Sequence, residues 1–304
     1  MSPDPVYTLA DLERWSRPAP SLAVLGHPIR HSLSPPMHNA ALAAEVPSDR
    51  RLAGWRYFRF DVPPADLARA LAILHARRFH GVNLTVPHKV MAFDLMAEID
   101  AQARPCGAVN TLLWKPEGWH GFNTDGYGLA AAVEETLGRG LPGAPVLLLG
   151  AGGAARGAAV ECLARHCASL WIANRTRVHL DRLLDLIRPL AGGIPMHAYG
   201  SPGAPPPAGA IVINATSAGL LAGEPSPIDL ALLPRPAAVF DMIYNPAQTA
   251  LLAQAVRLGV PAANGLAMLA HQGAKSLEIW TGIPAKRSAP VMLAAARAAL
   301  EQPT

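Results

Sequence analysis

The sequence predicts an α/β protein of two domains built on mostly parallel sheet, and three observations carry that expectation. The chain has 304 residues, enough for two domains of ordinary size. Apolar runs of strand length alternate with segments of helical periodicity along most of it, the pattern of βαβ units. Near its middle, Gly150-Ala-Gly-Gly-Ala-Ala155 lies between an apolar strand and a helix, which marks the opening of a second such set.

Taken in order, Ser21-Leu-Ala-Val-Leu-Gly26 reads as a buried strand ending in a glycine turn. A helix is expected over 37–45, and a strand rich in aromatic and β-branched residues over 55–62. Pro64 opens a helix over 64–78 with Leu67, Leu71 and Leu74 at helical spacing. The strand 81–86 stops at Pro87, and 88–99 reads as helix. Ala108-Val-Asn-Thr-Leu-Leu-Trp114, a turn at Pro116-Glu-Gly118 and residues 119–122 form a β-hairpin pattern. Gly138-Arg-Gly-Leu-Pro-Gly143 reads as the approach to the second domain. There, strands are expected at 146–149, 170–173, 211–213 and 239–241, with helices from the glycine loop to about 168 and over 177–190. Residues 201–207 are a proline-rich spacer, and helices over 266–280 and 289–301 close the chain. No internal repeat or low-complexity tract appears.

Composition narrows the function classes. At 51% hydrophobic and 16% charged, the chain can fill a substantial core. No apolar run reaches the roughly 18 residues of a membrane-spanning helix. Residues 1–20 lack the apolar block of a signal peptide, so the cytoplasm is the expected compartment. Cys106, Cys162 and Cys167 form no C-x-x-C pair and argue against both a disulfide framework and a metal site. Cys162 and Cys167 fall in an Ala-rich helical stretch and read as core filler. The net charge of +4 is scattered rather than gathered into a stripe, which argues against a nucleic-acid partner. Only Lys89, Lys115, Lys275 and Lys286 among 26 basic residues are lysines. Arginine cannot surrender its proton at useful pH whereas lysine can, so each lysine is a candidate for chemistry.

The glycine loop fits G-x-G-x-x-A. Gly150 permits the tight turn out of the strand, Gly152 lets a pyrophosphate approach the backbone, and Ala155 lets the helix pack closely on the sheet. Free N–H groups and the positive helix end then face the phosphates. At the end of the next strand, an NAD site places an acid for the ribose 2′-hydroxyl. This chain has Asn174, Arg175 and Thr176 there, followed by Arg177. A guanidinium at that position suits a 2′-phosphate, so NADP(H) is the expected cofactor.

The first domain carries polar residues at strand ends. Asn83 and Thr85 share one strand face, Lys89 follows just past Pro87, and Ser32 and Ser34 follow the first strand. Asn123-Thr-Asp-Gly126 supplies a carboxylate, Asp125, where a helix begins. Each has a local reading as well: Asp125 or Ser34 as a helix cap, Asn83 as a turn former, Lys89 as a surface charge. Together they describe a pocket for a hydroxylated acid beside a nicotinamide.

These strings resemble a known family. His31-Ser-Leu-Ser-Pro35, Asn83-Leu-Thr-Val-Pro-His-Lys89, Gly107-Ala-Val-Asn-Thr111 and Asn123-Thr-Asp-Gly126 are similar to the substrate motifs of the shikimate dehydrogenase family. Gly150-Ala-Gly-Gly-Ala154, Asn174-Arg-Thr176, Asn214-Ala-Thr-Ser217 and Gly265-Leu-Ala-Met-Leu-Ala-His-Gln272 resemble its cofactor and closing motifs, in the same order.

The resemblance implies a Rossmann-like cofactor domain and reversible, NADPH-dependent reduction of 3-dehydroshikimate to shikimate, in aromatic amino-acid biosynthesis. It implies Lys89 and Asp125 as the catalytic pair. Ser32 and Ser34 would hold the substrate carboxylate, with Asn83, Thr85, Asn110, Tyr244 and Gln272 around the ring. The cofactor would be held by Gly150, Ala151, Gly152, Gly153, Ala154, Ala155, Asn174, Arg175, Thr176, Thr216, Met242 and Gly265. It further implies a discontinuous substrate domain, residues 1–125 with 266–304, around a cofactor domain of 126–265, in a monomer or homodimer.

Two positions depart from the family's pattern. His179 stands where a second basic residue is common after Asn-Arg-Thr, and Ala267 replaces a frequent glycine. Rival readings are an NAD-dependent quinate/shikimate dehydrogenase, against which Ser34 and Arg175 argue, and a catalytically silent binder. Retention of both Lys89 and Asp125 argues against the second.

Overall fold

The computed structural model describes residues 5–200, 205–221 and 223–301, so residues 201–204 of the proline-rich spacer lie outside the described residues. The chain divides into two units, Met1–Thr124 with Ala270–Thr304, and Asp125–Leu269.

The first unit holds β1 (Val6–Tyr7), α1 (Leu9–Glu13), β2 (Ser21–Gly26), α2 (Ser34–Glu45), β3 (Arg56–Asp61), α3 (Leu67–Ala76), β4 (Gly81–Leu84) and α4 (His88–Met91). The short β5 (Glu98–Ile99) and the hairpin β6 (Thr111–Lys115) and β7 (Gly118–Phe122) complete its sheet. The sheet order is β1-β3-β2-β4-β6-β7-β5. Pairing is parallel except at β4/β6 and β6/β7. The chain winds one way from β2 to β3 and the other way to β4, so the carboxyl ends of β2 and β4 form a topological switch point, where α/β sheets bind ligands. Leu67, Leu71 and Leu74 of α3 are buried against Phe60, Phe79 and Leu112, as their spacing predicts.

The second unit begins with α5 (Asp125–Leu137), followed by β8 (Pro145–Leu149), α6 (Gly153–Ala164), β9 (Ser169–Ala173), α7 (Arg177–Ile187), β10 (Met196–Ala198), β11 (Ile211–Asn214), β12 (Ala238–Asp241), α8 (Ala250–Arg257) and β13 (Ala262–Asn264). Its sheet is wholly parallel in the order β10-β9-β8-β11-β12-β13, the doubly wound order of dinucleotide-binding folds. The strand alternation sorts β8 between two cores. Val146 and Leu148 pack with α5 and α6, whereas Leu147 and Leu149 pack with α8.

The last two helices are α9 (Leu266–Thr281) and α10 (Ala285–Leu300). Most of α9 belongs to the first unit, and Trp280 anchors it there. The indole N–H donates to the Leu112 carbonyl at 2.9 Å. The ring lies so close over Gly81 that a Cβ there would fall 2.2 Å from Nε1. No period in the sequence carries that contact.

Several local expectations are corrected. The helix expected over 88–99 is a single turn followed by a 3-10 turn at Phe93–Leu95. Glu98–Ile99 instead pairs with β7, and Ile99 and Met96 pack on the core. Tertiary pairing at a sheet edge has outweighed helical periodicity. The helix after the glycine loop stops at Ala164, not near 168, because His166 adopts φ +54° and Cys167 N–H bonds back to the Cys162 carbonyl. Cys167 therefore lies beyond the helix, although both thiols are buried, and burial raises them above the ordinary thiol value. Residues 138–143 lie inside the second unit, between α5 and β8, rather than ahead of it. The last helix starts at Ala285, whose N–H is received by Glu278 Oε2 at 2.8 Å, and Pro290 is accommodated inside it.

Candidate active site

In the first unit, Ser32 and Ser34 follow β2, and Thr85 and Lys89 follow β4, so all four stand at the switch point. Ser34 is the first residue of α2, not its cap: Leu33 holds the cap position with no side-chain bond. Ser34 N–H donates to Ser32 Oγ at 3.3 Å, which ties the Ser32 hydroxyl to the start of α2. Thr85 is pinned through its N–H to the Leu25 carbonyl, and its carbonyl receives His88 N–H. The Val86–Pro87 peptide is cis, and α4 begins immediately after it. Lys89 is half-buried, and its carbonyl accepts Val109 N–H at 2.9 Å, tying this turn to the segment that precedes Asn110.

Asn83 and Asn110 are buried within a dense amide and hydroxyl cluster. Asn83 Oδ1 accepts the Tyr57 hydroxyl at 2.8 Å. Its Nδ2 faces the Asn110 carbonyl, Thr111 Oγ1 and Ser276 Oγ, each at 3.0 Å. Asn110 Oδ1 accepts Thr124 N–H and the Thr111 hydroxyl, both at 2.9 Å. Asn110 Nδ2 donates to Thr124 Oγ1 at 3.0 Å and reaches Gln272 Oε1 at 3.4 Å. The cluster therefore fixes the backbone of Thr124, the last residue before Asp125. Sequence reasoning assigned no role to Tyr57, Thr111, Thr124 or Ser276. Thr111 and Thr124 lie inside quoted motifs, but only folding brings Tyr57 and Ser276 to the same point.

Asp125 opens α5 and the second unit, so it is a helical residue rather than a cap. Gly126 beside it lets α5 approach α6, since a Cβ would lie 2.5 Å from Glu161 Oε2. Within the second unit the glycine loop leaves β8 at Gly150, whose φ of +115° suits glycine. Its N–H bonds the Ala173 carbonyl at 2.7 Å. A Cβ on Gly150 would lie 3.1 Å from Thr216 Cγ2, so the loops after β8 and β11 meet at this sheet's own switch point. Ala151 is half-buried, whereas Gly152, Gly153 and Ala154 are exposed. Gly152 caps α6 without any side-chain bond, nothing lies within 4 Å of a Cβ at Gly152 or Gly153, and Ala155 is fully buried. The first N–H groups of α6 thus open on free space, the arrangement that receives phosphate.

Asn174 at the end of β9 donates to the Thr176 carbonyl at 2.8 Å and shapes the turn. Arg177 is committed to Asp181 at 2.8 Å, while Arg175 is exposed and bonds to no described residue. Arg175 rather than Arg177 is therefore available to an anion, and no acid occupies the strand end. These features fit a 2′-phosphorylated dinucleotide.

Behind the loops sits a hub that sequence reasoning missed. Buried Asp241 accepts Asn214 Nδ2 at 3.0 Å, Ile243 N–H at 3.1 Å and the Thr249 hydroxyl at 2.6 Å. Burial holds its carboxyl above the usual value, and the three hydrogen bonds oppose that shift. Asn214 Oδ1 in turn receives the N–H and hydroxyl of Thr216, at 3.0 and 2.7 Å. Met242 N–H bonds the Asn214 carbonyl at 3.0 Å. Gly265 is buried where a Cβ would stand 2.0 Å from the Met242 carbonyl oxygen. Tyr244 is half-buried, and burial raises its phenol above the ordinary value. Among the described residues, no helix is long and apolar enough to cross a membrane and no group of three or more His, Cys, Asp or Glu side chains is placed to hold a metal ion.

Comparison with known proteins agrees with this geometry. The family model described as the shikimate dehydrogenase substrate binding domain matches residues 24–112, and that of the shikimate 5'-dehydrogenase C-terminal domain matches residues 265–297. The shikimate dehydrogenase (NADP(+)) of Methylobacterium radiotolerans is 39% identical over 276 residues, covering 89% of this chain and 94% of its own. That of Moorella thermoacetica is 42% identical over 280 residues, covering 89% of each. The crystal structure of shikimate 5-dehydrogenase from Thermus thermophilus, in complex with NADP(H) and shikimate, superposes with a TM-score of 0.77 at 35% identity, covering 92% of this chain and 99% of that one. With relatives this similar over nearly its whole length, the chain belongs to the shikimate dehydrogenase family.

Proposed function

We propose that this protein is an NADP-dependent shikimate dehydrogenase, reducing 3-dehydroshikimate to shikimate and catalysing the reverse reaction. The observation that carries this reading is Arg175 at the end of β9, exposed and bonded to no described residue, with α6 capped by no side chain, in a family member that retains Lys89 and Asp125. Gly150, Ala151, Gly152, Gly153, Ala154 and Ala155 would hold the pyrophosphate, and Asn174, Arg175 and Thr176 the 2′-phosphate. Thr216, Met242 and Gly265 would shape the nicotinamide end. NADPH, when bound, supplies the hydride.

Ser32 and Ser34 bind the substrate carboxylate through their hydroxyls. Asn83, Thr85, Asn110, Tyr244 and Gln272 orient the ring. Reduction of a ketone leaves negative charge on its oxygen, which must be stabilised and protonated. Lys89 Nζ does both, as a charged donor and as the acid. Asp125 is the second member of the catalytic pair, and Asn110 fixes its chain position by holding Thr124 N–H. The protein works in the cytoplasm, as monomer or homodimer, on small molecules alone, with neither nucleic acid nor membrane as partner.

The test follows absorbance of reduced nicotinamide with purified protein, shikimate or quinate, and NADP⁺ or NAD⁺. Rapid reduction with shikimate and NADP⁺ alone is expected. Comparable rates with quinate and NAD⁺ would overturn the assignment, as would inertness of a folded sample in all four mixtures.

A further inference from the structure

Ser276 lies on α9 one turn beyond Gln272, on the same helix face, with its side chain fully buried. A buried hydroxyl must satisfy its hydrogen-bonding capacity locally. This one does so against three residues of the sheet and its loops and against its own helix: Asn83 Nδ2 at 3.0 Å, Thr111 Oγ1 at 2.7 Å, Thr124 Oγ1 at 3.3 Å and the Gln272 carbonyl at 3.0 Å. At the opposite end of the same Asn83 amide stands the hydroxyl of Tyr57, itself buried and stacked on His38.

We propose that Tyr57 and Ser276 are positioning residues that clamp the Asn83 amide from both ends and orient the substrate-binding face of the first unit. The proposal rests on the functional reading above for what that face binds.

Proton counting gives the clamp its direction. Tyr57 donates its only proton to Asn83 Oδ1. Thr111 donates to Asn110 Oδ1, so at its contact with Ser276 it is the acceptor. Ser276 therefore receives from Asn83 Nδ2 and shares its single proton between Thr111 Oγ1 at 2.7 Å and the Gln272 carbonyl at 3.0 Å. A one-way chain results: Tyr57 to Asn83, to Ser276, to Thr111, to Asn110. Two of the residues expected to bind substrate, Asn83 and Asn110, are thus held by Tyr57 and Ser276, which belong to no substrate motif. An amide flip of Asn83 would turn two donors toward Tyr57 and an acceptor toward the Asn110 carbonyl, so the orientation is unique.

The consequences of the two deletions differ from those of a general packing defect. Ser276→Ala leaves Asn83 Nδ2 with the Asn110 carbonyl and Thr111, so the fold stays satisfied while the amide loses one restraint. Tyr57→Phe removes the donor to Asn83 Oδ1 and keeps the ring stack on His38. Each variant is expected to raise KM for shikimate about fivefold, with kcat changed less than about threefold and KM for NADP⁺ less than about twofold.

An activity-independent readout accompanies the kinetics. In protein labelled with ¹⁵N-asparagine, the Asn83 side-chain amide is identified by its loss in Asn83→Asp, and its hydrogen exchange is measured. Exchange is expected to be about tenfold faster in Ser276→Ala than in the unaltered protein. If the unaltered protein fails to oxidise shikimate, the functional reading falls and the exchange measurement still decides the clamp. Unchanged exchange in Ser276→Ala overturns the clamp. So does a KM for shikimate within about twofold of the unaltered value in both variants, or an equal rise in both KM values.

Discussion

Replacing His38 by phenylalanine is expected to flatten the acid side of this protein's stability profile. His38 lies in α2 with no exposed surface, its ring stacked on Tyr57 at 4.2 Å between centroids with the planes 2° apart. Trp280 closes the site at 5.5 Å, and neither ring nitrogen has a hydrogen-bond partner among the described residues. Burial alone pushes the imidazole down to about 3. In the unfolded chain it titrates near 6.5. Between those values the unfolded state holds a proton that the native state cannot accept, so stability is complete above about pH 6.5 and falls with acid. Each pH unit below that point removes about 1.4 kcal/mol, and the drop from pH 7 to pH 5 amounts to about 2 kcal/mol. His38→Phe keeps an aromatic ring against Tyr57 and removes the proton site.

Urea unfolding at pH 7, 6 and 5, followed by tryptophan fluorescence, measures the difference. Trp15, Trp55, Trp114, Trp119 and Trp280 lie in the first unit with His38, so the signal reports mainly on that unit. The gap between the two proteins should change by about 2 kcal/mol across the series. His88 is also held below its ordinary value by burial, but it is common to both and cancels. Parallel stability profiles, within about 0.5 kcal/mol at every pH, would refute the linkage argument.

Three further perturbations test other parts of the molecule. Lys89→Arg keeps the charge but can hardly deliver a proton, so kcat should fall at least about a hundredfold while KM for shikimate moves less than about threefold; undiminished turnover would remove Lys89 as the acid. Arg175→Ala should raise KM for NADP⁺ by about tenfold to a hundredfold and leave the low activity with NAD⁺ within about twofold, because only the former carries the phosphate. Equal effects on both cofactors would show that Arg175 does not read the phosphate. Gly265→Ala would drive a Cβ to 2.0 Å from the Met242 carbonyl, a backbone atom that cannot rotate away. A loss of more than about 2 kcal/mol is expected, seen as a thermal midpoint lowered by several degrees; a midpoint unchanged within about 1 °C would contradict the contact.

Local chemistry made much of this protein legible in its sequence. Apolar alternation placed the strands β2, β3, β4, β8, β9, β11 and β12, because burial and a period of two are properties of each segment itself. The turn at Gly150 and the acid-free end of β9 were legible for the same reason, since a tight turn needs glycine and a 2′-phosphate repels a carboxylate. Ser32, Ser34, Asn83, Thr85 and Lys89 were legible as polar residues at strand ends, whereas Asn110 was legible only through the resemblance of its motif.

What remained hidden depends on partners far along the chain. Glu98–Ile99 carries a helical pattern and becomes strand only because β7 offers an edge. Whether α9 returns to the first unit turns on Trp280 finding Gly81 and, 168 positions back in the chain, the Leu112 carbonyl. The Asp241 hub and the Tyr57 and Ser276 clamp are built from ordinary residues whose meaning is spatial. A sequence records which groups can hydrogen-bond, but only the closed fold removes water from them and decides which partner each must take.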